Sequence, residues 1–536
     1  MADSDVVLTL DLGTSGPKVS LFDRNLKLIA STFREVELVL VAESGIPGEE
    51  QSGAEQRPAD WIRAIESAID QLYSERPDAF ARVRAINVTA QWSGTVAISE
   101  QGEPLMNAII WMDARGAPDA AKLTEGWIQV DGYGLIPMLE WIRITGGGPT
   151  RSGKDSISHI LYIKRSKPEI YSKTRVFLEP KDFLNFYLTG LARASHESIT
   201  VHWLTDNRDI HRIRYSDKLI EKSGIERSKL PELIPTNSIL GKIKPEIARR
   251  FRVPEGAVVV AGTPDLHSAA VGSGGIGNYE PHVYIGTSSW MICHVPDKKT
   301  DLFHNMASIP SAVPGRYFMV NEQQTAGASL QFLKNRLLFP EASIGGAASP
   351  SDAYSRMDAL AATVPAGAEG LFYFPWLNGE RSPFDVHHVR GGFMNLSLKH
   401  EQRHMIRAVM EGVALNMRWL RGYAERFCKR RFEGIRFIGG GANSSVWAQI
   451  LADVLGVRVD QVEDPLAANS RGAAALAWLA LGERSLDQLP GLIPVKQAFH
   501  PNPKNQAVYD RSFKAFVEFF ERNQAWYRKV NAQEKK

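Results

Sequence analysis

The sequence predicts an α/β protein built from two domains. Strand-like apolar runs alternate with segments of helical periodicity along the chain, which is typical of sheets covered by helices. With 536 residues, the chain is longer than one hydrophobic core usually supports. The tripeptide Gly-Thr-Ser occurs at 13–15 and again, about half a chain later, at 286–288, each time after an apolar run. We interpret this repeat as an internal duplication, and we expect domains at 1–255 and 256–536.

The composition argues against several classes of protein. A hydrophobic share of 44% and a charged share of 23% are typical of a globular chain. The net charge of +3 and the absence of a long basic run argue against nucleic-acid binding. The acidic start at 1–5 does not resemble a signal peptide, and no apolar run is long enough to span a membrane. We therefore expect a cytoplasmic protein without a nucleic-acid or membrane partner.

The number and spacing of the cysteines also favour a cytoplasmic protein. Cys293 and Cys428 are far apart in sequence, and neither lies in a C-x-x-C motif, so a thiolate zinc site is excluded on spacing. Such low use of cysteine is typical of a reducing compartment.

Three glycine-containing turns are candidates for holding phosphate groups. Backbone N–H groups in such turns can converge on phosphate oxygens, and Thr and Ser hydroxyls add donors. One turn alone would more often be a plain hairpin, but two turns after matching strands favour a shared polyphosphate. A third turn lies between the predicted strand 435–438 and the predicted helix 445–455, where a helix N-terminus attracts anions. The candidate residues are Gly13, Thr14, Ser15, Gly286, Thr287, Ser288, Gly439, Gly440, Gly441, Ala442 and Asn443.

Two better-known nucleotide motifs are excluded. A formal G-x-G-x-x-G is present at Gly272, Gly274 and Gly277, but it follows a predicted helix and precedes a strand. A dinucleotide fingerprint requires the reverse order. No G-x-x-x-x-G-K-[ST] sequence occurs, so the chain is not a P-loop enzyme.

Asp265 is the candidate catalytic base. It follows the predicted strand 257–262 and begins the small-residue run 265–272, so rigid elements would hold its carboxylate. In phosphoryl transfer, an Asp accepts the proton of the attacking hydroxyl. Position alone leaves open a second interpretation, in which Asp265 only caps a helix. The proline-containing stretch 230–254, just before this strand, is the predicted hinge between domains.

Many separate motifs occur in the order found in one family. On these motifs the chain resembles the FGGY family of carbohydrate kinases over nearly its whole length, and the xylulokinase branch most of all. The motifs lie at 11–16, 53–61, 102–105, 110–115, 180–183, 188–190, 265–272, 286–288, 378–383, 404–412, 439–443 and 453–456.

The resemblance implies a fold, a reaction and several residue roles. It implies two actin-like, ribonuclease H-like domains around a cleft that binds ATP and Mg²⁺. It implies transfer of the γ-phosphoryl group to a hydroxyl of a small sugar or polyol, with Asp265 as base. Asp11 resembles the carboxylate that acts on the magnesium through water. Thr14 and Thr287 match the phosphate hairpins, and Gly439 to Asn443 match the nucleotide loop. A homodimer is one candidate assembly.

The sugar site departs from the family pattern. We expect Gln91, Trp92, Ser93, Asp265 and Leu266 to contact the substrate. Xylulokinases typically have Met-His where this chain has Trp92-Ser93, and Asn where it has Leu266. Losing one hydrogen bond to a buried hydroxyl costs about 1–3 kcal/mol, so the substrate should differ from D-xylulose. Trp92 is open to a second interpretation, as part of the core. Asn395 also stands where the family has glycine, which puts one local turn in question.

Two alternatives remain open at this stage. One is an actin-like ATPase or nucleotide-dependent binding protein that transfers nothing to a sugar. The other is a non-catalytic relative that senses a sugar ligand. The presence of Asp265 and of both Gly-Thr-Ser turns favours the kinase.

Overall fold

Two mixed β-sheets, one from each half of the chain, organise the computed structural model, which describes residues 5–41, 53–130, 132–340 and 349–531. The first sheet contains β1 (Val6–Gly13), β2 (Gly16–Asp23), β3 (Leu28–Phe33), β4 (Val83–Ala90), β5 (Ile239–Lys242) and β6 (Val258–Pro264). The second contains β7 (His282–Ile285), β8 (Ser289–Val295), β9 (Thr300–Asp301), β10 (Met306–Pro310), β11 (Tyr317–Val320), β12 (Gly434–Ile438), β13 (Arg458–Val462) and β14 (Val495–Phe499).

The two sheets repeat one arrangement of strands. Their spatial orders are β5-β6-β4-β1-β2-β3 and β9-β10-β11-β8-β7-β12-β13-β14. Each contains an antiparallel hairpin, β1-β2 or β7-β8, that opens its half of the chain. Each continues on one side with two parallel strands, β4 and β6 or β12 and β13, and then an antiparallel strand at the edge. The duplication predicted from the Gly-Thr-Ser repeat is therefore confirmed at the level of topology.

Helices cover both sheets. They include α1 (Pro58–Glu75), α2 (Pro180–Thr189), α3 (Asp265–Ser273), α4 (Gln402–Cys428), α5 (Ser445–Leu455), α6 (Ala468–Ala480) and α7 (Pro503–Asn531). Apolar positions spaced by three and four residues form the buried face of α1, which includes Trp61, Ile65, Ile69 and Leu72. None of the helices in the described ranges is both long and apolar enough to cross a membrane.

Further elements fill the connections. The other helices are Pro77–Phe80, Ala117–Leu123, Leu135–Thr145, Ser156–Ser166, Pro168–Lys173, Asp217–Ser223, Pro245–Phe251, Gly327–Phe332, Ala353–Ala362 and Leu489–Leu492. The other strands are Val39–Val41, Gly53–Gln56, Val96–Ile98, Ala108–Ile109, Gln129–Val130, Tyr133–Gly134, Val176–Leu178, Arg193–Ser195, Thr205–Asp206, Arg214–Tyr215, Glu232–Ile234, Phe372–Phe374 and Gly392–Met394.

The stretch predicted as a hinge, 230–254, lies within the first half instead. Its strand β5 forms the edge of the first sheet, and its helix Pro245–Phe251 buries Ile247 and Phe251 in the core of that sheet. Proline begins this helix, at a position where its missing N–H costs nothing. Strand β6 also pairs within the first sheet. The first sheet therefore extends to residue 264, past the position between residues 255 and 256 where the domain boundary is predicted.

Helices α3 and α6 join the two halves through a very close contact. A Cβ atom on Gly272 would lie 1.8 Å from the carbonyl oxygen of Ala468, and one on Gly472 would lie 1.8 Å from that of Ser268. Residues of both sheets, among them Val260 and Val462, pack in one apolar cluster with this helix pair. Gly272 belongs to the formal G-x-G-x-x-G motif, so the structure gives that glycine a role in helix packing.

The turn at Asn395 is retained. Asn395 has a φ of 63°, in the left-handed region where glycine is common and asparagine is tolerated. Its side-chain amide donates a hydrogen bond to the carbonyl oxygen of Gly370 at 2.8 Å. The family's glycine is thus replaced by the residue type best able to adopt its conformation.

We expect Gly472→Ala to destabilise the protein. The added methyl group has only backbone to displace, so the helices must separate, and overpacking of this kind costs about 1–3 kcal/mol or more. Thermal unfolding measures the effect. The matched control is Gly422→Ala in α4, because a Cβ atom there meets nothing within 4 Å. That control should be neutral or slightly stabilising. Equal behaviour of the two variants would contradict the role of the helix contact.

Candidate active site between the two sheets

Predicted site residues converge at one edge of the first sheet. Strands β1, β4 and β6 are parallel neighbours, and Leu12, Ala90 and Pro264 lie in register near their carboxyl ends. The turn 13–15, the segment 91–93 and the base candidate follow these three strand ends directly. The structure therefore brings together residues that are more than 250 positions apart in the sequence.

A β-bulge directs the end of β6 toward this edge. Val260 pairs with Asn87 and Thr263 pairs with Thr89, so Ala261 and Gly262 together oppose the single residue Val88. Gly262 has a φ of 68°, and a Cβ atom there would lie 2.1 Å from the carbonyl oxygen of Val88. Bulges bend a strand and commonly re-aim a side chain next to an active site. This bulge immediately precedes Asp265.

Asp265 is the first residue of α3 and has the properties of a base. One carboxylate oxygen accepts a hydrogen bond from the backbone N–H of Leu266 at 2.7 Å. Burial, and after it the negative charge of Asp11, raise the pKa of Asp265 to about 7. A carboxyl group with a pKa near neutrality is well matched to proton transfer at physiological pH.

Asp11 lies in β1 and is buried. Burial raises the pKa of Asp11, while the charge of Lys18 and hydrogen bonds from Asn469 and Ser470 oppose that effect. The Ser470 hydroxyl is 3.5 Å from a carboxylate oxygen of Asp11, so α6 of the second half contacts a strand of the first. The described parts of the chain contain no group of three or more His, Cys, Asp or Glu suited to a metal ion. Mg²⁺ commonly uses only one or two carboxylates together with phosphate oxygens, and Asp11 fits that pattern.

The first Gly-Thr-Ser turn is braced from within the protein. The Thr14 hydroxyl donates to the side-chain oxygen of Gln91 at 3.2 Å and accepts from the indole N–H of Trp111 at 2.9 Å. The Gln91 amide nitrogen donates to Gln56 at 2.8 Å, and Gln56 donates to the carbonyl oxygen of Thr14 at 2.7 Å. Both ends of the Gln91 amide thus have protein partners. The structure places Gln91, predicted as a substrate contact, as a support of the turn, whereas Ser15 is exposed.

The second turn and the triple-glycine loop form one surface. Strands β7 and β12 are parallel neighbours, so Gly286 and Gly439 follow adjacent strand ends. A Cβ atom on Gly439 would lie 2.7 Å from the carbonyl oxygen of Ile285, and one on Gly441 would lie 2.8 Å from the Ile285 side chain. Only glycine permits this approach of the loop to the end of β7.

The accessible positions on this surface define where a ligand could bind. Thr287, Gly440 and Asn443 are exposed. Ala442 is buried, and its N–H donates to the carbonyl oxygen of Gly439, so this predicted contact supports the loop from inside. The side chain of Ser444 caps α5 by accepting from Trp447 N–H at 2.9 Å, and the loop therefore opens onto a helix N-terminus.

Tyr284 shows that the two halves face each other. It lies near the end of β7, where burial, and after it the negative charges of Asp265 and Asp11, raise the pKa of Tyr284 to about 12. The carboxylates of the first half and the phosphate-binding candidates of the second half therefore share one site.

The predicted sugar wall is largely apolar. Trp92 packs edge-on against His267, with ring centroids 5.4 Å apart. Trp92 and Leu266 both pack against one small apolar cluster. The indole N–H of Trp92 donates to the carbonyl oxygen of Ser198 at 2.8 Å. The Ser93 hydroxyl donates to the carbonyl oxygen of Lys154 at 2.7 Å. Trp92, Ser93 and Leu266 all remain partly exposed, so Trp92 both packs against the core and presents a surface.

Two charged residues near the base are not among the site residues predicted from the sequence. The charge of Glu322 contributes to the raised pKa of Asp265, and Glu322 forms an ion pair with Arg381. The charge of Arg381 also acts on Asp155, although burial still raises the pKa of Asp155 to about 6. Arg381 lies in the 378–383 motif, which carried the family resemblance without suggesting this role. Glu322 lies outside every such motif, and no local pattern marks it.

Comparison with known proteins identifies the family. The models of the N-terminal and C-terminal domains of the FGGY family of carbohydrate kinases match residues 6–272 and 282–481. A xylulose kinase of Lactococcus lactis is 28% identical over 96% of both chains.

Solved structures agree with this match in fold. A xyloylose kinase from Brucella ovis has a TM-score of 0.83 at 22% identity and covers 97% of this chain and 100% of its own. A gluconate kinase from Lactobacillus acidophilus also has a TM-score of 0.83 at 22% identity, with coverage of 98% and 100%. The expected fold of two actin-like domains is thereby confirmed. The chain belongs to the FGGY family of carbohydrate kinases.

Proposed function

We propose that this chain, an ATP-dependent carbohydrate kinase by family, uses Asp265 as the base that activates a hydroxyl of a sugar or polyol. The observation that carries the proposal is the position of Asp265. It lies between a bulged strand and a helix N-terminus, and its pKa is raised to about 7 where phosphate-binding candidates from both halves meet.

The two turns and the glycine loop would hold ATP. The exposed residues Ser15 and Thr287 are suited to the phosphates from two sides, and Gly440 with Asn443 is suited to the nucleoside. Asp11 would hold Mg²⁺ through water. When bound, Mg²⁺ neutralises charge that develops on the phosphate oxygens.

The residues of the first half would then direct the proton. The acceptor hydroxyl donates a hydrogen bond to the carboxylate of Asp265. As its oxygen forms a bond to the γ-phosphorus, the bond from that phosphorus to the β–γ bridging oxygen breaks, and ADP leaves. The hydroxyl proton passes to Asp265. The negative charge of Asp11 supports this step, because it raises the proton affinity of the base.

The substrate pocket favours an acceptor other than D-xylulose. Leu266 presents apolar surface where xylulokinases typically have Asn, and Trp92 is bulkier than the Met found there. Ser93 stands in place of His, and the proton of its hydroxyl is already donated to Lys154. Buried sugar hydroxyls without partners carry a desolvation cost. The named relatives differ in their acceptors, since one is a xylulose kinase and another a gluconate kinase, so a change of acceptor fits the family.

Asp265→Asn should lower kcat by about 10²–10⁴-fold, because general base catalysis contributes about that much. ATP binding, measured by calorimetry, should change little. Asp217→Asn is the matched control, since Asp217 is likewise the first residue of a helix. Sugar-dependent release of ADP separates this kinase from an ATPase or a sensor. An Asn variant that keeps more than about a tenth of the wild-type kcat would show that the base is wrongly assigned.

The same substitution should stabilise the ligand-free protein at neutral pH. The folded-state pKa of Asp265, about 7, is above the ordinary value of 3.8, so the folded protein binds this proton more tightly than the unfolded chain. Wild-type stability therefore falls as pH rises from about 4 to about 7. The melting temperature of Asp265→Asn should match the wild type near pH 4 and exceed it by a few degrees at pH 8. A constant difference across this range would contradict the raised pKa.

D-Xylulose should have a lower kcat/KM than the best acceptor among L-xylulose, D-gluconate and glycerol. Leu266→Asn should raise kcat/KM for D-xylulose by about 10-fold, because it restores a partner for one sugar hydroxyl. Leu360→Asn, at an exposed position of the helix Ala353–Ala362 in the second half, is the control and should leave the ranking unchanged. D-Xylulose at the top of the wild-type ranking would overturn this assignment of the pocket.

A further inference from the structure

A buried polar cluster on α2 holds the backbone at the bulge in β6. The Lys181 ammonium and the Asn185 side-chain amide each donate a hydrogen bond to the carbonyl oxygen of Ala261, both at 2.7 Å. Lys181 is 2% exposed and Asn185 is 1% exposed. Two buried donors therefore converge on one carbonyl oxygen, four residues before Asp265.

The bulge explains why this carbonyl group needs side-chain partners. Ala261 and Gly262 have no partner in register on either β4 or β5, although their neighbours on both sides are paired. A buried carbonyl group outside a sheet ladder must be satisfied in another way. Lys181 and Asn185 supply that partner, and they fix the direction in which β6 leaves the sheet.

The same cluster reaches the predicted sugar wall. Lys181 forms an ion pair with Asp182, and Asp182 accepts a hydrogen bond from the Ser198 hydroxyl at 2.6 Å. The carbonyl oxygen of Ser198 accepts the indole N–H of Trp92 at 2.8 Å. One network thus holds both the strand that leads to the base and an aromatic ring of the acceptor pocket.

The buried charges of the cluster indicate a role beyond stabilising the fold. A buried ion pair contributes little net stability, because the cost of removing both charges from water offsets their attraction. Its value lies in fixed geometry, since donors of defined direction hold a backbone group more exactly than apolar packing does.

We propose that Lys181 and Asn185 are positioning residues that act on the base through the Ala261 carbonyl group. The proposal rests on the assignment of Asp265 as base. A displacement of the carboxylate by about 1 Å is enough to lower the rate by about 100-fold, because the base must meet the acceptor hydroxyl at hydrogen-bond distance.

The test is Asn185→Leu in the full-length protein, which removes one donor and keeps the branched shape of the side chain. The assay uses ATP together with whichever of D-xylulose, L-xylulose, D-gluconate and glycerol is the best acceptor. In this assay kcat should fall about 10–100-fold, while KM for both substrates stays within about twofold. The matched control is Asn207→Leu. Asn207 is equally buried and donates to the carbonyl oxygen of Thr145 at 2.8 Å, away from the site, so kcat should stay within about twofold. If the leucine variant does not fold, Asn185→Ala removes the same donor with less bulk, and the same loss of kcat is expected.

A double-mutant cycle with Asp265→Asn distinguishes this inference from the proposed function. If Asn185 acts through the base, Asn185→Leu should have no further effect on single-turnover transfer in the Asp265→Asn background. An Asp265→Asn protein with near wild-type turnover would refute the assignment of the base itself. If Asp265→Asn shows the expected loss of activity but Asn185→Leu turns over like the wild type, or lowers the rate equally in both backgrounds, the positioning role is overturned and the base assignment stands.

Discussion

The close contact of α3 with α6 sets the geometry on which the site depends. At Gly272 and Gly472 the two helices approach so closely that neither position has room for a Cβ atom. Helix α3 begins with Asp265, and α6 carries Ser470, which contacts Asp11. The separation of the two carboxylates is thus tied to backbone packing between the halves. Because backbone cannot change rotamer, this distance is more rigid than one set by side-chain contacts.

Energetic costs are concentrated around the base. The bulge at Gly262, the buried ion pair of Lys181 with Asp182 and the raised pKa of Asp265 all lie at one sheet edge. Apolar clusters fill the interior around each sheet and offset these costs. Such a distribution is common in enzymes, where strained or charged groups persist because the surrounding structure holds them in place.

Local patterns predicted much of this arrangement. Helical periodicity predicted α5 to the residue, and the repeated Gly-Thr-Ser turns predicted the duplicated sheets. The position of Asp265 between a strand and a helix was also correct. These features depend on residues close together in the sequence, so a local pattern is sufficient to reveal them.

Other features depend on residues far apart in the sequence and could not be predicted from local patterns. The sheet to which β6 belongs is decided by its pairing with β4, far earlier in the chain. The hydrogen bonds that turn Gln91 toward Thr14 and the charge of Glu322 near Asp265 arise only when the chain has folded. Proline was misleading at 230–254, because it can begin a helix as readily as it marks a linker.

The two copies of the duplicated topology differ in charge at one equivalent position. Asp11 lies two residues before its Gly-Thr-Ser turn, and the same place in the second half is taken by Tyr284, which stacks on Trp290 with centroids 4.0 Å apart. A carboxylate at position 284 would add a third negative charge beside Asp11 and Asp265, and it would repel the polyphosphate that the turns are suited to hold. Electrostatics therefore favours an acidic residue in only one of the two equivalent positions. With a neutral residue at position 284, the turn 286–288 stays compatible with an anionic ligand that the two carboxylates of the first half would otherwise repel more strongly.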